Sequence, residues 1–350
     1  MFRLFSTLGL FFVIGIESVS AQIAIQNFTE AVNNRFSNDA SFIGADYDFS
    51  GVGRATNGKW GTLISPNAVL SAHHVRLAPN SILEFYPGND PNSTPIEAIV
   101  TTTVRVGSTD LSISILDRNV DPGIAVYSFA TDEYKGDEPA TITNSDGSTS
   151  TQTFIISDPA IIGIAGSRAL VFGVSPAVNP GFTTDHAVGE NLITGYSENV
   201  RFGSNTDNDT IILENDAEGT TNALTYETRV QSGDSGAPTF IIDDASNELV
   251  LIGINSFQLD GDPPSTFQSS GVTYTGNQVA EINAILSDNA IVPPLLGDCN
   301  SDSVVDFSDI SSFITILSTN DYLQEADINL DDTVDFSDIS PFIIILQSND

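Results

Sequence analysis

The sequence is poor in cysteine, in basic residues and in long apolar segments. It holds one cysteine, Cys299, so no disulfide can form within the chain. Lys and Arg number 11 against 46 Asp and Glu, which gives a formal net charge of -35 at pH 7. That charge argues against nucleic acid or an anionic membrane surface as the partner. Most of the acidic side chains are expected to form a solvated surface suited to salty water.

The N-terminus has the pattern of a secretory signal peptide. A basic start at Arg3 precedes an apolar run over Leu8–Ile16, which predicts a signal peptide over residues 1–21 with cleavage after Ala21. The run is shorter than the roughly 18–20 apolar residues of a membrane span, which disfavours an anchor, and no later segment is long enough to span. Export of a chain without cystines indicates a bacterial protein that is secreted, extracellular or on the cell surface.

Two similar segments, DCNSDSVVDFSD and DINLDDTVDFSD, begin 29 residues apart, at 298 and 327 (327 − 298 = 29). Each places oxygen-bearing side chains at positions 1, 3, 5, 9 and 12. With the backbone carbonyl of position 7, this is the ligand spacing of an EF-hand-type calcium loop. The expected ligands are Asp298, Asn300, Asp302, Val304, Asp306 and Asp309 in the first loop, and Asp327, Asn329, Asp331, Thr333, Asp335 and Asp338 in the second. An apolar helix is expected directly after each loop.

Paired loops that end in Asp, each followed by one helix, resemble the dockerin modules of secreted bacterial enzymes over residues 298–350. The resemblance implies a small helical domain with two structural calcium sites and a cohesin-like anchoring partner. The segment has twelve acidic residues and no Lys or Arg, so its folding is expected to depend on calcium. Position 6, normally Gly, is Ser303 in the first loop and Asp332 in the second, which predicts weaker binding at the first site.

Dockerins usually carry partner-recognition residues at loop positions 10 and 11. Those positions hold Phe307-Ser308 and Phe336-Ser337 in this chain. Identical pairs would allow binding in two orientations related by a twofold axis. The alternative is a C-terminal segment that calcium stabilises and that binds no partner.

The residues before this module are predicted to be mainly β. Short apolar runs separated by Gly, Asn, Asp and Pro fill residues 46–290, with one helical pattern at 277–289. A double β-barrel closed by a C-terminal helix fits this pattern, although periodicity alone leaves a sandwich open. An N-terminal segment over 22–45 precedes the barrels, and a Pro-rich linker over 291–297 follows them.

The segment GTLISPNAVLSAHHV, which ends at Val75, resembles the chymotrypsin-family strands that lead into the catalytic histidine. The resemblance makes His74 the general base, with His73 at a position where the family usually has Ala. The segment TDLSISIL resembles the family's Asp before an apolar strand and makes Asp110 the residue that orients His74. Asp117 and Asp121 remain alternatives for that role.

The segment SGDSGAPTF closely resembles the nucleophile turn of the chymotrypsin/trypsin-like serine peptidases. It implies that Ser235 is the nucleophile and that the backbone N–H groups of Gly233 and Ser235 form the oxyanion hole. The chain order His, Asp, Ser is the chymotrypsin order. The family fold implied is a double β-barrel over residues 46–290, and the stretch from 134 to 228 aligns poorly.

Four further residues match substrate-binding positions of the family. Ser256 and Phe257 match the strand that pairs with the substrate backbone, and Gln258 replaces a pocket Gly. Arg229 matches the pocket floor, where trypsin-like members carry Asp, so trypsin-like specificity is disfavoured. An Arg229 that points into the pocket would favour Glu or Asp side chains. A one-residue offset of this loop stays open.

The resemblance implies a secreted serine endopeptidase that forms an acyl-enzyme on Ser235 and needs no cofactor for catalysis. In the family a freed N-terminal ammonium pairs with the Asp before the nucleophile, here Asp234, but this chain has no clear counterpart of that terminus. Another donor is therefore expected at Asp234. Two other interpretations stay open: a non-catalytic homologue that uses the barrels as a binding scaffold, and a calcium-dependent surface or matrix protein.

Overall fold

The computed structural model describes residues 22–132, 141–143, 149–151, 153–155, 166–176, 183–202, 205–243, 246–260, 268–290, 295–300, 302, 304–319, 322–329, 331 and 333–348. The expected signal peptide, the two linker prolines at 293 and 294, Ser303 and Asp332 lie outside them. The chain divides into two compact units, Met1–Ala290 and Ile291–Asp350.

The first unit is built mainly from short strands. Its strands are β1 (Ala24–Ile25), β2 (Val52–Ala55), β3 (Trp60–Ser65), β4 (Ala68–Ala72), β5 (Ile82–Phe85), β6 (Ile96–Arg105), β7 (Leu111–Leu116), β8 (Ser128–Phe129), β9 (Thr141–Thr143), β10 (Thr149–Thr151), β11 (Thr153–Ile155), β12 (Arg168–Gly173), β13 (Ala187–Phe202), β14 (Asn205–Glu214), β15 (Thr228–Arg229), β16 (Pro238–Ile242), β17 (Leu249–Asp260) and β18 (Gln268–Tyr274). Its α-helices are α1 (Glu30–Asn33) and α2 (Val279–Asp288).

Six consecutive strands close the first barrel, in the order β2-β3-β4-β7-β6-β5. The Val, Ile and Leu residues of these strands suit a pleated surface that is buried on its inner face. Leu63, Val69, Leu83, Phe85 and Val100 fill the interior and are at most 1% exposed. Burial of each such side chain stabilises the fold by about 1.5–3 kcal/mol.

The second barrel is a ring of six strands, β13-β12-β16-β17-β18-β14, which the pairing of β13 with β14 closes. Val171, Ile193, Ile211, Ile252 and Val272 lie in its core. Closure of both sheets satisfies the edge hydrogen bonds that an open sheet would expose. It also excludes the sandwich that the sequence pattern left open.

A third apolar cluster joins the two barrels. Phe49 contacts Phe172 of the second barrel at 4.9 Å between ring centroids, and Tyr127 contacts Phe240 at 4.8 Å. Leu70, like these rings, belongs to one cluster with residues of both barrels. The barrels therefore share a continuous core, and strand ends that meet there are held in fixed positions.

The N-terminal segment is held to the first barrel by the fully buried Arg35. Its guanidinium donates to the backbone carbonyls of Val52, Tyr86 and Gly88 at 3.0–3.1 Å. Burial lowers the pKa of Arg35 to about 10. Nearby, Asn33 donates to the Val188 carbonyl of the second barrel at 3.0 Å. Residues 33–35 thus tie the segment to both barrels.

The second unit contains the helices α3 (Ile310–Thr319) and α4 (Ile339–Ser348). Their facing aromatic rings, Phe313 and Phe342, lie 4.2 Å apart between centroids. Cys299 is buried in the same apolar cluster, and this burial raises the pKa of its thiol to about 12. The side chain of Cys299 is therefore part of the core of this unit.

These features confirm the predicted fold: an all-β double barrel with a C-terminal helix, followed by a small helical unit. Among the residues that the structure describes, no helix combines the length and apolar character needed to cross a membrane.

Candidate active site

His74 lies just beyond the end of β4, in a single 3₁₀ turn over His73–Val75. Strand β4 pairs antiparallel with β7 so that Ala72 lies opposite Leu111. The residue after Ala72 therefore meets the residue before Leu111, and the N–H of His73 donates to the Asp110 carbonyl at 2.7 Å. Sheet register alone thus brings Asp110 beside the histidine turn.

The side chain of Asp110 holds His74 through two hydrogen bonds. Its Oδ1 accepts from the backbone N–H of His74 at 2.9 Å, and its Oδ2 lies 2.8 Å from His74 Nδ1. Asp110 is fully buried, whereas the imidazole is one-third exposed. A carboxylate at Nδ1 favours the tautomer with its proton there, which leaves Nε2 as the proton acceptor.

Asp110 is in turn fixed by Asn208, a residue that sequence analysis missed. The side-chain oxygen of Asn208 accepts from the Asp110 N–H at 2.5 Å, and its amide nitrogen donates to the Val200 carbonyl at 2.8 Å. Asn208 is buried and lies on β14 of the second barrel. The Asp–His pair of the first barrel is therefore anchored to the second.

The two alternative acidic residues make other contacts. Asp117 accepts from the Ile99 N–H at 2.8 Å and lies 3.4 Å from Arg118. Asp121 accepts from the Gly123 N–H at 2.7 Å.

His73 has a pKa lowered by partial burial and by nearby Arg105 and Arg76.

Ser235 lies in a tight turn between β15 and β16. Gly233 has φ +104° and Gly236 has φ +90°, backbone conformations that side chains with a Cβ rarely adopt. The Ala237 N–H donates to the Asp234 carbonyl at 3.0 Å, and the Gly236 N–H donates to the Asn255 carbonyl at 2.9 Å. Two glycines thus bend the backbone on either side of the half-buried Ser235.

This turn packs against the strand that leads to His74. A Cβ at Gly236 would lie 2.7 Å from Ser71 Oγ and 3.4 Å from the Ala72 nitrogen. Trp60 of β3 donates its indole N–H to the Gly233 carbonyl at 3.4 Å. The turn that contains Ser235 and the end of β4 therefore meet where the two barrels join.

Asp234, next to Ser235, is fully buried and accepts from two backbone N–H groups. These donors are Val174, at 2.8 Å from Oδ1, and Gln231, at 2.7 Å from Oδ2. Burial raises the pKa of Asp234 to about 8, although both hydrogen bonds and Arg54 act in the opposite direction.

The N-terminal segment reaches the same place as Asp234. A Cβ on Gly173 would lie 2.6 Å from Asp234 Oδ1 and 2.7 Å from the Cβ of the buried Ile23. The Ile23 N–H donates to the Val174 carbonyl at 3.0 Å. Residues just after the expected cleavage site therefore pack around the carboxyl group of Asp234.

The predicted substrate-binding residues on β17 occupy different environments. Ser256 is buried, and its hydroxyl lies 2.7 Å from that of Thr273. Phe257 faces Gly271 across the sheet, where a Cβ would lie 2.2 Å from the Phe257 ring. Gln258 is exposed.

Arg229 lies on β15 opposite Ala24 of β1, and its side chain is half-buried. The N-terminal strand is therefore hydrogen-bonded to the segment that precedes the turn of Ser235. This pairing fixes the backbone of Arg229.

In the second unit, the two predicted calcium loops have matching hydrogen bonds. Asp309 accepts from the N–H groups of Asn300 and Asp306, and Asp338 accepts from those of Asn329 and Asp335, at 2.9–3.0 Å. Positions 1 and 12 of both loops are buried: Asp298, Asp309, Asp327 and Asp338. Among the residues that the structure describes, no three His, Cys, Asp or Glu side chains converge closely enough to hold a metal ion.

The chemistry of these loops nevertheless fits a hard cation. Residues 298–350 contain no Lys, Arg or His to balance four buried carboxyl groups. The remaining predicted ligands Asn300, Asp302, Asp306, Asn329, Asp331 and Asp335 supply the oxygen atoms that calcium prefers. Val304 and Thr333 would add their backbone carbonyls.

No protein-family model matches the chain, and no curated protein matches it. Solved structures that match it include a mutant of human heparin binding protein, with 14% identity and a TM-score of 0.44, covering 70% of this chain and 95% of that one. Another is the passenger domain of Plasmid encoded toxin, an autotransporter enterotoxin from enteroaggregative Escherichia coli. It has 14% identity and a TM-score of 0.36, and the match covers 67% of this chain and 22% of that one. With its two closed six-stranded barrels, the first unit of this chain has a chymotrypsin-like fold.

Proposed function

We propose that the chain is a secreted bacterial serine endopeptidase whose catalytic residues are His74, Asp110 and Ser235. The observation that carries the proposal is the contact of 2.8 Å between His74 Nδ1 and the buried Asp110 carboxylate, beside a Gly-Asp-Ser-Gly turn. A lone histidine would be poor support. Here the register of two strands, the buried carboxylate and the packing of Gly236 on Ser71 converge on one place.

The proposed reaction follows from the roles of these groups. His74 Nε2 removes the proton from Ser235 Oγ as that oxygen attacks the substrate carbonyl, and the imidazolium later protonates the leaving amine. Asp110 keeps the imidazole in the required tautomer and stabilises its charged form. The N–H groups of Gly233 and Ser235 stabilise the oxyanion. Water then releases the acyl group from Ser235, with His74 again acting as the base.

The second unit is proposed to bind two structural calcium ions and to attach the enzyme to a cohesin-like partner. Catalysis does not require the ions in this scheme. The support is the repeated ligand spacing, the buried carboxyl groups and the lack of basic residues. Phe307 and Phe336, which are 60% and 83% exposed, are the proposed partner contacts. A calcium titration followed by circular dichroism tests the ions, and a calcium-dependent pulldown tests the partner.

Labelling with a fluorophosphonate probe tests the catalytic proposal. The wild type is expected to label, whereas Ser235→Ala removes the reacting oxygen and His74→Ala removes its base. Labelling in calcium and in chelator separates the roles of the two units. A folded wild type that does not label would contradict the proposal and leave the barrels as a binding scaffold.

A further inference from the structure

A groove of about 460 Å³ opens directly beside His74. Its walls are Lys59 from the turn before β3, the segment 75–79 that follows the histidine, and Thr102 and Thr103 of β6. A polypeptide whose scissile bond lies between His74 and Ser235 extends from that bond across the surface around His74. The groove is one surface along which the bound chain can extend.

The charge of this groove is opposite to that of the chain as a whole. Lys59 and Arg76 line the groove. No Asp or Glu is among the described residues that line it, although the chain has 46 acidic residues. Two of only 11 basic residues thus face one groove beside the proposed general base.

The walls of the groove are held in place. Lys59 is half-buried, and its ammonium donates to the Arg76 carbonyl at 2.9 Å, which links two sides of the groove. Thr103 donates to the Leu77 carbonyl at 2.9 Å, which fixes β6 to the same segment. A positive group held in position loses less side-chain entropy when it meets a carboxylate than a freely moving lysine does.

We propose that this basic groove binds an acidic stretch of the polypeptide substrate, within about four residues of the bond that is cleaved. The inference rests on the proposed endopeptidase function and specifies its substrate class. An extended chain advances about 3.3 Å per residue, so four residues on either side of the bond reach roughly 13 Å from it. At 0.15 M salt, charges beyond about 8 Å are screened, and the cations within the groove dominate over the distant acidic surface.

The test measures both hydrolysis and binding in the full-length protein. Peptides that carry Glu, Gln or Lys at each of four positions on either side of the bond are compared by kcat/KM at 0.15 M salt. We expect about a 10-fold preference for Glu over Lys at one or more positions, since each exposed charge pair changes binding by a few-fold. The double variant Lys59→Gln/Arg76→Gln, which keeps hydrogen-bond donors and removes both charges, should abolish the preference. Arg118→Gln, whose side chain is 59% exposed and pairs with Asp117, is the matched control and should retain it.

Binding to the Ser235→Ala variant separates the groove from the chemistry. By fluorescence polarisation, a Glu-containing peptide should bind more tightly than its Gln counterpart, and Lys59→Gln/Arg76→Gln should remove the difference. Equal binding of the two peptides would overturn the inference whether or not the wild type hydrolyses them. A preference that survives in Lys59→Gln/Arg76→Gln but disappears in Arg229→Gln would also overturn it and assign selectivity to Arg229. Selective binding without fluorophosphonate labelling of the wild type would refute the endopeptidase and leave the groove standing.

Discussion

Replacement of Gly236 by Ala tests whether the turn with the proposed nucleophile Ser235 lies against β4 as closely as the structure has it. The residue has φ +90°, and the new Cβ would lie 2.7 Å from Ser71 Oγ. An ordinary contact begins at 3.4 Å, so the atoms must separate by about 0.7 Å (3.4 − 2.7 = 0.7). Because Ser235 is the adjacent residue, this separation moves the proposed nucleophile relative to His74.

Two contributions set the expected magnitude. The positive φ costs roughly 1–2 kcal/mol for a residue with a Cβ. Overpacking against Ser71 adds about 1–3 kcal/mol. Gly236→Ala should therefore lower the free energy of unfolding by about 2–5 kcal/mol. A displacement approaching 1 Å can cost about 100-fold in rate, so fluorophosphonate labelling should slow about 10- to 100-fold.

Ser71→Ala provides the matched control. The hydroxyl of Ser71 is buried and has no hydrogen-bond partner in the described residues, so its removal alone should change stability little. In the double variant Gly236→Ala/Ser71→Ala the steric contribution should disappear while the cost of positive φ remains. Labelling kinetics and denaturant unfolding measure both effects. A Gly236→Ala variant that labels at the wild-type rate, or one that Ser71→Ala fails to improve, would refute this packing.

Three further predictions concern other parts of the molecule. Asn208→Ala leaves the buried Asp110 N–H without its acceptor, so denaturant unfolding should show a loss of about 1–3 kcal/mol, with slower labelling. Burial raises the pKa of Asp185, Glu227 and Asp234 to about 6, 7 and 8. Above about pH 4 the unfolded state releases protons that these three groups keep in the folded state. The free energy of unfolding should therefore fall as pH rises from about 4 to 8, by up to about 1.4 kcal/mol per pH unit for each group. Denaturant unfolding across this range checks the sign, and a rise would contradict it. Chelation of calcium should reduce the helical circular dichroism of the second unit and leave labelling unchanged, whereas loss of labelling would place a required ion in the barrels.

The secondary structure could be predicted because its signals are local, whereas the choice of a double barrel over a sandwich depended on the family resemblance. Short apolar strands with polar turns indicate β structure, and the helical pattern at 277–289 corresponds to α2 over Val279–Asp288. The glycines on either side of Ser235 are detectable in sequence because positive φ restricts which residue fits. His74 and Asp110 lie next to each other because of the register between β4 and β7. The resemblance to known motifs predicts that the two residues are paired.

The supports of the site could not be predicted, because they depend on contacts between distant residues. Asn208 lies 98 positions from Asp110, and nothing in the sequence around either residue marks the pair. Arg35 stands in a polar stretch that suggests exposure, but five donors on a planar group allow several backbone carbonyls to satisfy it in the interior. The basic groove likewise depends on a turn before β3 meeting the segment after His74.

Asp234 shows how one of these distant contacts affects the proposed mechanism. The sequence predicts another donor at this carboxyl group, because it has no clear counterpart of the family's mature terminus. The structure has two backbone N–H groups, from Val174 and Gln231, one at each carboxyl oxygen. Val174 directly follows β12 and Gln231 lies in the loop between β15 and β16. Ile23 lies beside them, where its N–H donates to the Val174 carbonyl. Each carboxyl oxygen of Asp234 therefore accepts a backbone hydrogen bond that requires no ammonium group.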